Sequence, residues 1–158
     1  MKLMLTALTV ASASMAYALA VSAAEEHNIV MPNDVKWSAA PPSLPKGAQG
    51  AVIFGDPTKD GLFAMRLKFP KGYKVAPHSH PKPEVVTKIS GTLKLGTGES
   101  GDPSKAQALP AGAIFAFTPG MIHYASTDEE AVIQLNSIGP WGLSYVNPKD
   151  DPRTASAH

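Results

Sequence analysis

The chain of 158 residues contains no cysteine, and its 14 basic and 13 acidic side chains nearly cancel. Without cysteine it can form neither disulfides nor thiolate metal sites, and it lacks the residue that lipid attachment to an exported protein requires. Without a basic cluster, the sequence gives no electrostatic reason to expect binding to nucleic acid or to an anionic membrane surface. We therefore expect packing, metal binding or self-association to provide its stability.

Long apolar runs are missing except at the N-terminus. There, Lys2 precedes an apolar stretch from Leu3 to Val21, and the small residues Val21-Ser22-Ala23 follow. This layout is typical of a secretory signal peptide and predicts cleavage after Ala23, or one residue later after Ala24. The alternative is an uncleaved membrane anchor, because the run is nearly long enough to span a bilayer. The prediction places the mature chain in the periplasm or outside the cell, with no membrane association after cleavage.

Helical periodicity is missing beyond residue 23, and 15 prolines and 13 glycines divide the chain into short apolar runs. Short strands separated by turn residues are typical of an all-β sandwich or barrel. Strands are predicted at 51–54, 62–69, 73–77, 84–90, 92–95, 105–109, 114–117, 123–126, 131–137 and 142–146. The second strand alternates well, with Phe63, Met65, Leu67 and Phe69 on one face. Ser90-Gly91 and Lys59-Asp60-Gly61 are predicted to form hairpin turns.

The predicted domain organisation has four parts. Residues 1–23 form the signal peptide, residues 24–50 an extended proline-rich arm, residues 51–147 the barrel, and residues 148–158 a polar tail. We expect the arm to lie across its own domain or a partner subunit, anchored by Trp37. A disordered lead-in is the alternative reading of this segment.

One short segment carries the chemistry. His78 and His80 are two positions apart, so they point to the same side of a strand, and Glu84 follows four residues later. Pro81 and Pro83 exclude a helix that would pair His80 with Glu84. The chain must instead turn after the first strand and return Glu84 on the next one. This geometry predicts that the three side chains converge on one metal ion.

The full spacing resembles the two signatures of the cupin superfamily. Gly72, His78, His80, Glu84 and Gly91 reproduce the first signature, G-x5-H-x-H-x3-E-x6-G. The second signature, G-x5-P-x-G-x2-H-x3-N, begins 21 residues after the first one ends. Three of its positions are matched, by Gly112, Gly120 and His123. Its proline position holds Thr118, with Pro119 one residue late, and its asparagine position holds Thr127. The resemblance covers residues 51–146.

The resemblance implies a single antiparallel jelly-roll barrel with His78, His80, Glu84 and His123 as metal ligands. Imidazole and carboxylate ligands suit a divalent transition metal, with iron or manganese favoured, then zinc, nickel or copper. Four ligands leave two adjacent positions of an octahedral ion for substrate or dioxygen. The family therefore implies an exported mononuclear enzyme on a small organic substrate, with dioxygenase chemistry favoured over redox-neutral lyase, decarboxylase or isomerase chemistry. The alternative is a non-catalytic periplasmic cupin that binds or senses a metal or ligand.

Other site residues are harder to assign from the pattern. Gln134, in a mostly apolar strand, is a candidate catalytic residue, although it could equally face solvent. Arg66 is expected on the surface beside an acidic group, and Thr127 could partly replace a hydrogen bond that orients a metal ligand. Trp141 and Tyr145 are expected in packing or dimer contacts. Small cupins usually pair, so we expect a homodimer.

Overall fold

The computed structural model describes residues 29–154, so the predicted signal peptide, His27 and His158 lie outside the described residues. Within this range there is no α-helix, and the helical structure consists of 3₁₀ turns at Pro32–Asp34, Pro103–Lys105 and Pro148–Asp150. Each of these turns begins with proline, whose fixed φ suits the first helical position. Between residues 29 and 154, no helix is long and apolar enough to cross a membrane.

The described residues form two antiparallel sheets, which confirms the predicted all-β jelly-roll fold. The six-stranded sheet has the order β1-β2-β3-β10-β5-β8, and the five-stranded sheet has the order β11-β4-β9-β6-β7. The strands are β1 Ser38–Ala39, β2 Gln49–Phe54, β3 Gly61–Phe69, β4 Lys74–Ser79, β5 Glu84–Ser90, β6 Leu93–Thr97, β7 Gln107–Leu109, β8 Ile114–Phe117, β9 His123–Ser126, β10 Ala131–Gly139 and β11 Ser144–Tyr145.

The core lies between the two sheets because the strands alternate apolar and polar side chains. In β3, Phe63, Met65, Leu67 and Phe69 are all buried, as their period-two spacing predicts. They form one apolar cluster with Val86 of β5 and with residues of the opposite sheet, among them Val75 and Leu93. The cluster packs the two sheets together beside the histidines.

The Ser90-Gly91 turn does not form the predicted hairpin. The strands on either side, β5 and β6, belong to different sheets, so the turn is a corner where the chain crosses the barrel. Gly91 has φ +76°, and an added Cβ would lie 1.8 Å from the Glu130 carbonyl oxygen. Only glycine fits this crossing, and a spacing pattern alone cannot distinguish a crossing from a hairpin. The turn that ends at Gly61 does join the paired strands β2 and β3, as predicted.

The residues between 35 and 50 lie against the barrel of their own chain. Ser38 pairs with Gly50, which adds β1 to the edge of the six-stranded sheet. Leu44 is buried in the core, whereas the Trp37 ring is half-buried with the Lys68 ammonium 4.3 Å from its centroid. The buried anchor of this segment is therefore Leu44 more than Trp37, because the larger aromatic packs at the surface.

Candidate metal centre

The three histidines of the predicted site lie together in the barrel. His78 is in β4, His80 directly follows that strand, and His123 begins the neighbouring strand β9, where it pairs with His78. Antiparallel partners point their side chains to the same face, so the pairing brings the two rings side by side. One ring nitrogen of each histidine lies within 4.8 Å of those of the other two.

The turn before β9 forms without the usual proline. Met121 N donates to the Thr118 carbonyl at 3.2 Å, and Gly120, with φ +79°, donates to the His80 carbonyl at 2.9 Å. The one-residue shift of the proline to position 119 leaves this turn intact, because Gly120 supplies the positive φ that the turn needs. The second bond ties the loop before His123 directly to the loop that carries His80.

Backbone carbonyl groups orient all three rings in the same way. The Nδ1 atoms of His78, His80 and His123 lie 2.7, 2.7 and 3.1 Å from the carbonyl oxygens of Ala76, Gly142 and Met121, respectively. A carbonyl oxygen can only accept, so each Nδ1 carries the proton and donates it. Each ring therefore keeps Nε2 as its free lone pair, which is the arrangement that ligating histidines usually have.

Burial keeps these imidazoles neutral. Desolvation, reinforced by the neighbouring His123, lowers the pKa of His78 to about 3, and desolvation also lowers the pKa of His80 to about 4. The pKa of His123 is lowered for the same reason. Neutral imidazole is the form that binds a metal, so the three rings are in their ligating protonation state at neutral pH.

Glu84 begins β5 and is buried beside the three rings, but its carboxylate does not join their cluster. One oxygen, Oε1, accepts a hydrogen bond from the Trp141 indole at 2.6 Å and lies 3.3 Å from His80 Nδ1. Burial raises the pKa of Glu84 to about 7, although the Trp141 bond acts in the opposite direction. Because His80 is neutral, its contact with Glu84 is not an ion pair.

Trp141 packs against the core, which confirms the predicted packing contact, and it also contacts the site, which the sequence did not indicate. Its ring stacks on His80, with centroids 5.3 Å apart and planes 25° apart. Phe117 stacks similarly on His123, at 4.1 Å and 24°. Trp141 follows Gly139-Pro140 at the end of the long strand β10, and its contact with Glu84 joins residues 57 positions apart, which local spacing does not indicate.

The space next to the rings is small and apolar. It measures about 50 Å³, several times the roughly 10–15 Å³ that one water needs. Its walls are aliphatic and aromatic apart from the three histidines, Glu84 and Trp141. The remaining lining residues are Leu44, Leu67, Phe69, Val75, Val86, Leu93, Leu95, Phe115, Ala125, Ile133, Leu135 and Leu143.

The structure does not bring the other candidate residues to this space. Gln134 lies on the outer face of β10, where it accepts a hydrogen bond from Arg66 at 3.2 Å, because its neighbours Ile133 and Leu135 point inward. Arg66 therefore has an amide partner there instead of the expected acid. Thr127 bonds the backbone of Tyr73 and the Pro70 carbonyl, so it fixes a turn and does not orient a ligand.

The two antiparallel sheets and the buried histidines between them are the features of a cupin-type barrel fold. The polyketide cyclase RemF from Streptomyces resistomycificus has a similar fold, with a TM-score of 0.68 at 15% identity over 80% of this chain and 90% of that chain. An RmlC-like cupin from Shewanella frigidimarina also matches, with a TM-score of 0.55 at 15% identity over 72% and 91% of the two chains. At these identities, the likeness establishes the fold alone.

The chain belongs to the family described as "Domain of unknown function (DUF4437)", which it matches over residues 11–142. It is also 30% identical, over 93 residues, to germin-like protein subfamily 2 member 1 from Arabidopsis thaliana. That alignment covers 54% of this chain and 42% of the plant protein, so the chain spans about two fifths of that relative. The three histidines form a group that could hold a metal ion.

Proposed function

We propose that this protein is an exported mononuclear metal-dependent enzyme acting on a small organic substrate, with dioxygenase-type chemistry favoured over lyase, decarboxylase or isomerase chemistry. The convergence of His78, His80 and His123 in a buried cavity carries the proposal. One ring nitrogen of each histidine lies within 4.8 Å of those of the other two, and three neutral imidazoles grouped this closely are a donor set that suits a divalent transition metal.

The donor set fits a divalent transition metal. The three imidazoles would hold the ion through Nε2, and the nearby Glu84 carboxylate offers a fourth, anionic ligand. Iron or manganese is favoured, followed by zinc, nickel or copper, because nitrogen-rich sites suit these ions and suit calcium or magnesium poorly. A bound iron or manganese ion would supply the dioxygen chemistry, whereas the protein provides orientation and an apolar environment.

The cavity supports a small substrate. Its apolar walls offer water few hydrogen-bonding partners, and a substrate that displaces water from this space would strengthen electrostatic interactions there. Dioxygen and the reacting end of a small organic molecule fit a space of about 50 Å³, whereas a large polar ligand would find few hydrogen-bonding side chains. These properties favour an oxygen-dependent reaction over recognition of a sugar-like substrate.

A second candidate function is non-catalytic binding or sensing of a metal or ligand. One observation favours it: among residues 29–154, the cavity lining contains no ionisable side chain other than the three histidines and Glu84. A reaction that needs an independent general acid or base would have to use Glu84, whose pKa of about 7 suits proton transfer near neutrality. A measurement of substrate turnover therefore distinguishes the two functions.

Metal analysis combined with oxygen uptake tests the proposal. Protein isolated from its native source should contain about one transition metal per chain by mass spectrometry, and should consume oxygen with a member of a panel of small organic acids and diketones. His123→Ala should lose both properties. Gln134→Ala, which changes the outer face of β10, should keep both. Metal binding without turnover of any panel member, with or without oxygen, would favour the binding function.

A further inference from the structure

Trp141 is held firmly where it meets the metal centre. Its backbone nitrogen donates to the Pro57 carbonyl at 2.7 Å, and its ring lies flat against His80. The indole Nε1 is therefore aimed at Glu84 Oε1, 2.6 Å away, from a fixed position. An indole N–H is a donor only, so this contact has one possible direction.

The Glu84 oxygen bonded to the indole lies near Nδ1 of His80. The oxygen that accepts from Trp141 lies 3.3 Å from His80 Nδ1, whereas the nitrogen left free for a metal is Nε2. Glu84 is also absent from the group whose ligand atoms lie within 4.8 Å of one another. Only 3% of Glu84 is exposed, so its oxygens depend on protein partners or on a metal ion.

Only the side chain of Glu84 has freedom to move. Its backbone is paired on both sides, with Ser137 of β10 and Phe117 of β8. The Ser137 hydroxyl also donates to the preceding Pro83 carbonyl at 2.7 Å. A change of side-chain torsions is therefore the route by which the carboxylate would pass from the indole to an ion among the three rings.

We propose that Trp141 is a positioning residue that competes with the bound metal for the Glu84 carboxylate. The centre then has two arrangements: three histidines with Glu84 on the indole, and three histidines with Glu84 on the ion. The proposal rests on the proposed metal binding, and it assigns to Trp141 the balance between these arrangements. Trp141 thereby sets how many positions on the ion stay open to substrate.

Zinc affinity in matched variants tests the competition. Trp141→Phe removes the N–H donor and frees Glu84, so it should bind Zn²⁺ roughly three- to tenfold more tightly, the factor that corresponds to one ordinary hydrogen bond. Trp37→Phe, the same substitution at the other tryptophan of the chain, should leave the affinity unchanged. In a Glu84→Gln background, Trp141→Phe should give no gain, because the competing carboxylate is gone.

A spectroscopic experiment reads the switch directly and does not need the Trp141 variant to fold. In Trp37→Phe, Trp141 is the one remaining tryptophan, so Zn²⁺ should change its fluorescence as the hydrogen bond breaks. Adding Glu84→Gln keeps the His80 stacking contact but removes the charge that moves, so most of that change should disappear.

Two results would overturn the proposal in different ways. If Zn²⁺ binds the wild type but Trp141→Phe binds it equally or more weakly, or Glu84→Gln leaves the fluorescence change intact, Trp141 does not compete for the carboxylate. If the wild type itself binds neither Zn²⁺ nor any other transition metal, the proposed function fails together with this inference.

Discussion

At the scale of single residues, the four predicted ligands differ in what holds them. The histidines are each fixed by a backbone carbonyl, whereas Glu84 is held by the Trp141 side chain. The carbonyls of Ala76 and Met121 lie two residues before His78 and His123, whereas the Gly142 carbonyl reaches His80 from 62 residues away, so the histidine geometry depends on the backbone of the folded barrel. The carboxylate geometry depends on one replaceable partner. The ligands should therefore respond differently to mutation.

We predict that single alanine substitutions of His78, His80 or His123 remove most of the stabilisation given by metal. Binding to the folded state contributes about 2.7 kcal/mol when free metal is a hundred times its dissociation constant. Wild-type protein should melt at a higher temperature with metal, and the alanine variants should lose most of that increase. Glu84→Gln should keep part of it, since three imidazoles remain. Calorimetry with and without chelator checks this. Equal metal-dependent shifts in melting temperature for the wild type and all four variants would contradict the ligand assignment.

We predict that the metal-free protein loses stability between pH 6.5 and 4. The pKa values of His78 and His80 fall from 6.5 to about 3 and 4 on folding, so the unfolded chain binds protons that the folded chain does not. The contribution of these two histidines to the free energy of unfolding is complete above pH 6.5 and is lost as the pH falls. Glu84 has the opposite effect. Its pKa rises from 4.5 to about 7 on folding, so its contribution to the free energy of unfolding is complete below pH 4.5 and is lost as the pH rises through 7.

Urea unfolding at several pH values, with chelator present, measures this dependence. Because the histidines outnumber the single carboxyl group, the free energy of unfolding should fall on acidification. Glu84→Gln removes the opposing contribution, so its loss of stability over the same range should be steeper than that of the wild type. A flat profile in both proteins would show that the rings are not buried in neutral form.

At the scale of elements, the sequence predicted where strands lie better than how they pair. The bounds of β5, β8 and β9 agree with the predicted ranges, since turn residues mark their ends. The crossing at Gly91 was missed because the positive φ of a glycine serves a hairpin and a corner equally well. The site contact of Trp141 was missed because it meets Glu84 across 57 residues, a separation that no local pattern reports.

The segment before β2 gives a prediction at the same scale. Leu44 is buried and lines the cavity, while Tyr145 and Tyr73 donate to the adjacent carbonyls of Ser43 and Pro45. Leu44→Ala should lower the free energy of unfolding by about 2–5 kcal/mol, the usual loss for a buried leucine. Ile29→Ala is the control: Ile29 is 83% exposed and lies outside the sheets, so its loss should stay below about 1 kcal/mol. Denaturant titrations of both variants would check the pair, and equal losses would remove Leu44 from the core.

At the scale of the whole molecule, the outer face of the six-stranded sheet predicts self-association. Apolar side chains remain exposed there on five strands, namely Phe54, Leu62, Val85, Ile114 and Ile138. A face of this kind is typical of an interface between copies of one chain. We predict a homodimer that Ile114→Lys weakens and that Val146→Lys, on the other side of the barrel, does not. Light scattering at roughly tens of micromolar checks this; a monomeric wild type would contradict it.

Export of the chain is a second prediction about the whole molecule. The small residues that follow the N-terminal apolar run predict a mature chain beginning at Ala24 or Glu25. Intact-mass measurement of protein from the cell envelope checks this prediction. Full-length protein retained in a membrane fraction would instead support the uncleaved anchor.

The pairing of β4 with β9 also determines when the centre can exist. His78 and His123 are 45 residues apart in the chain, and they meet only when these two strands form their ladder. A growing chain first exposes a bare His-x-His pair, which holds metal weakly, and the third imidazole arrives only as the barrel closes. We therefore expect the proposed centre to select its metal at the end of folding, from the metal supply of the compartment in which the barrel closes.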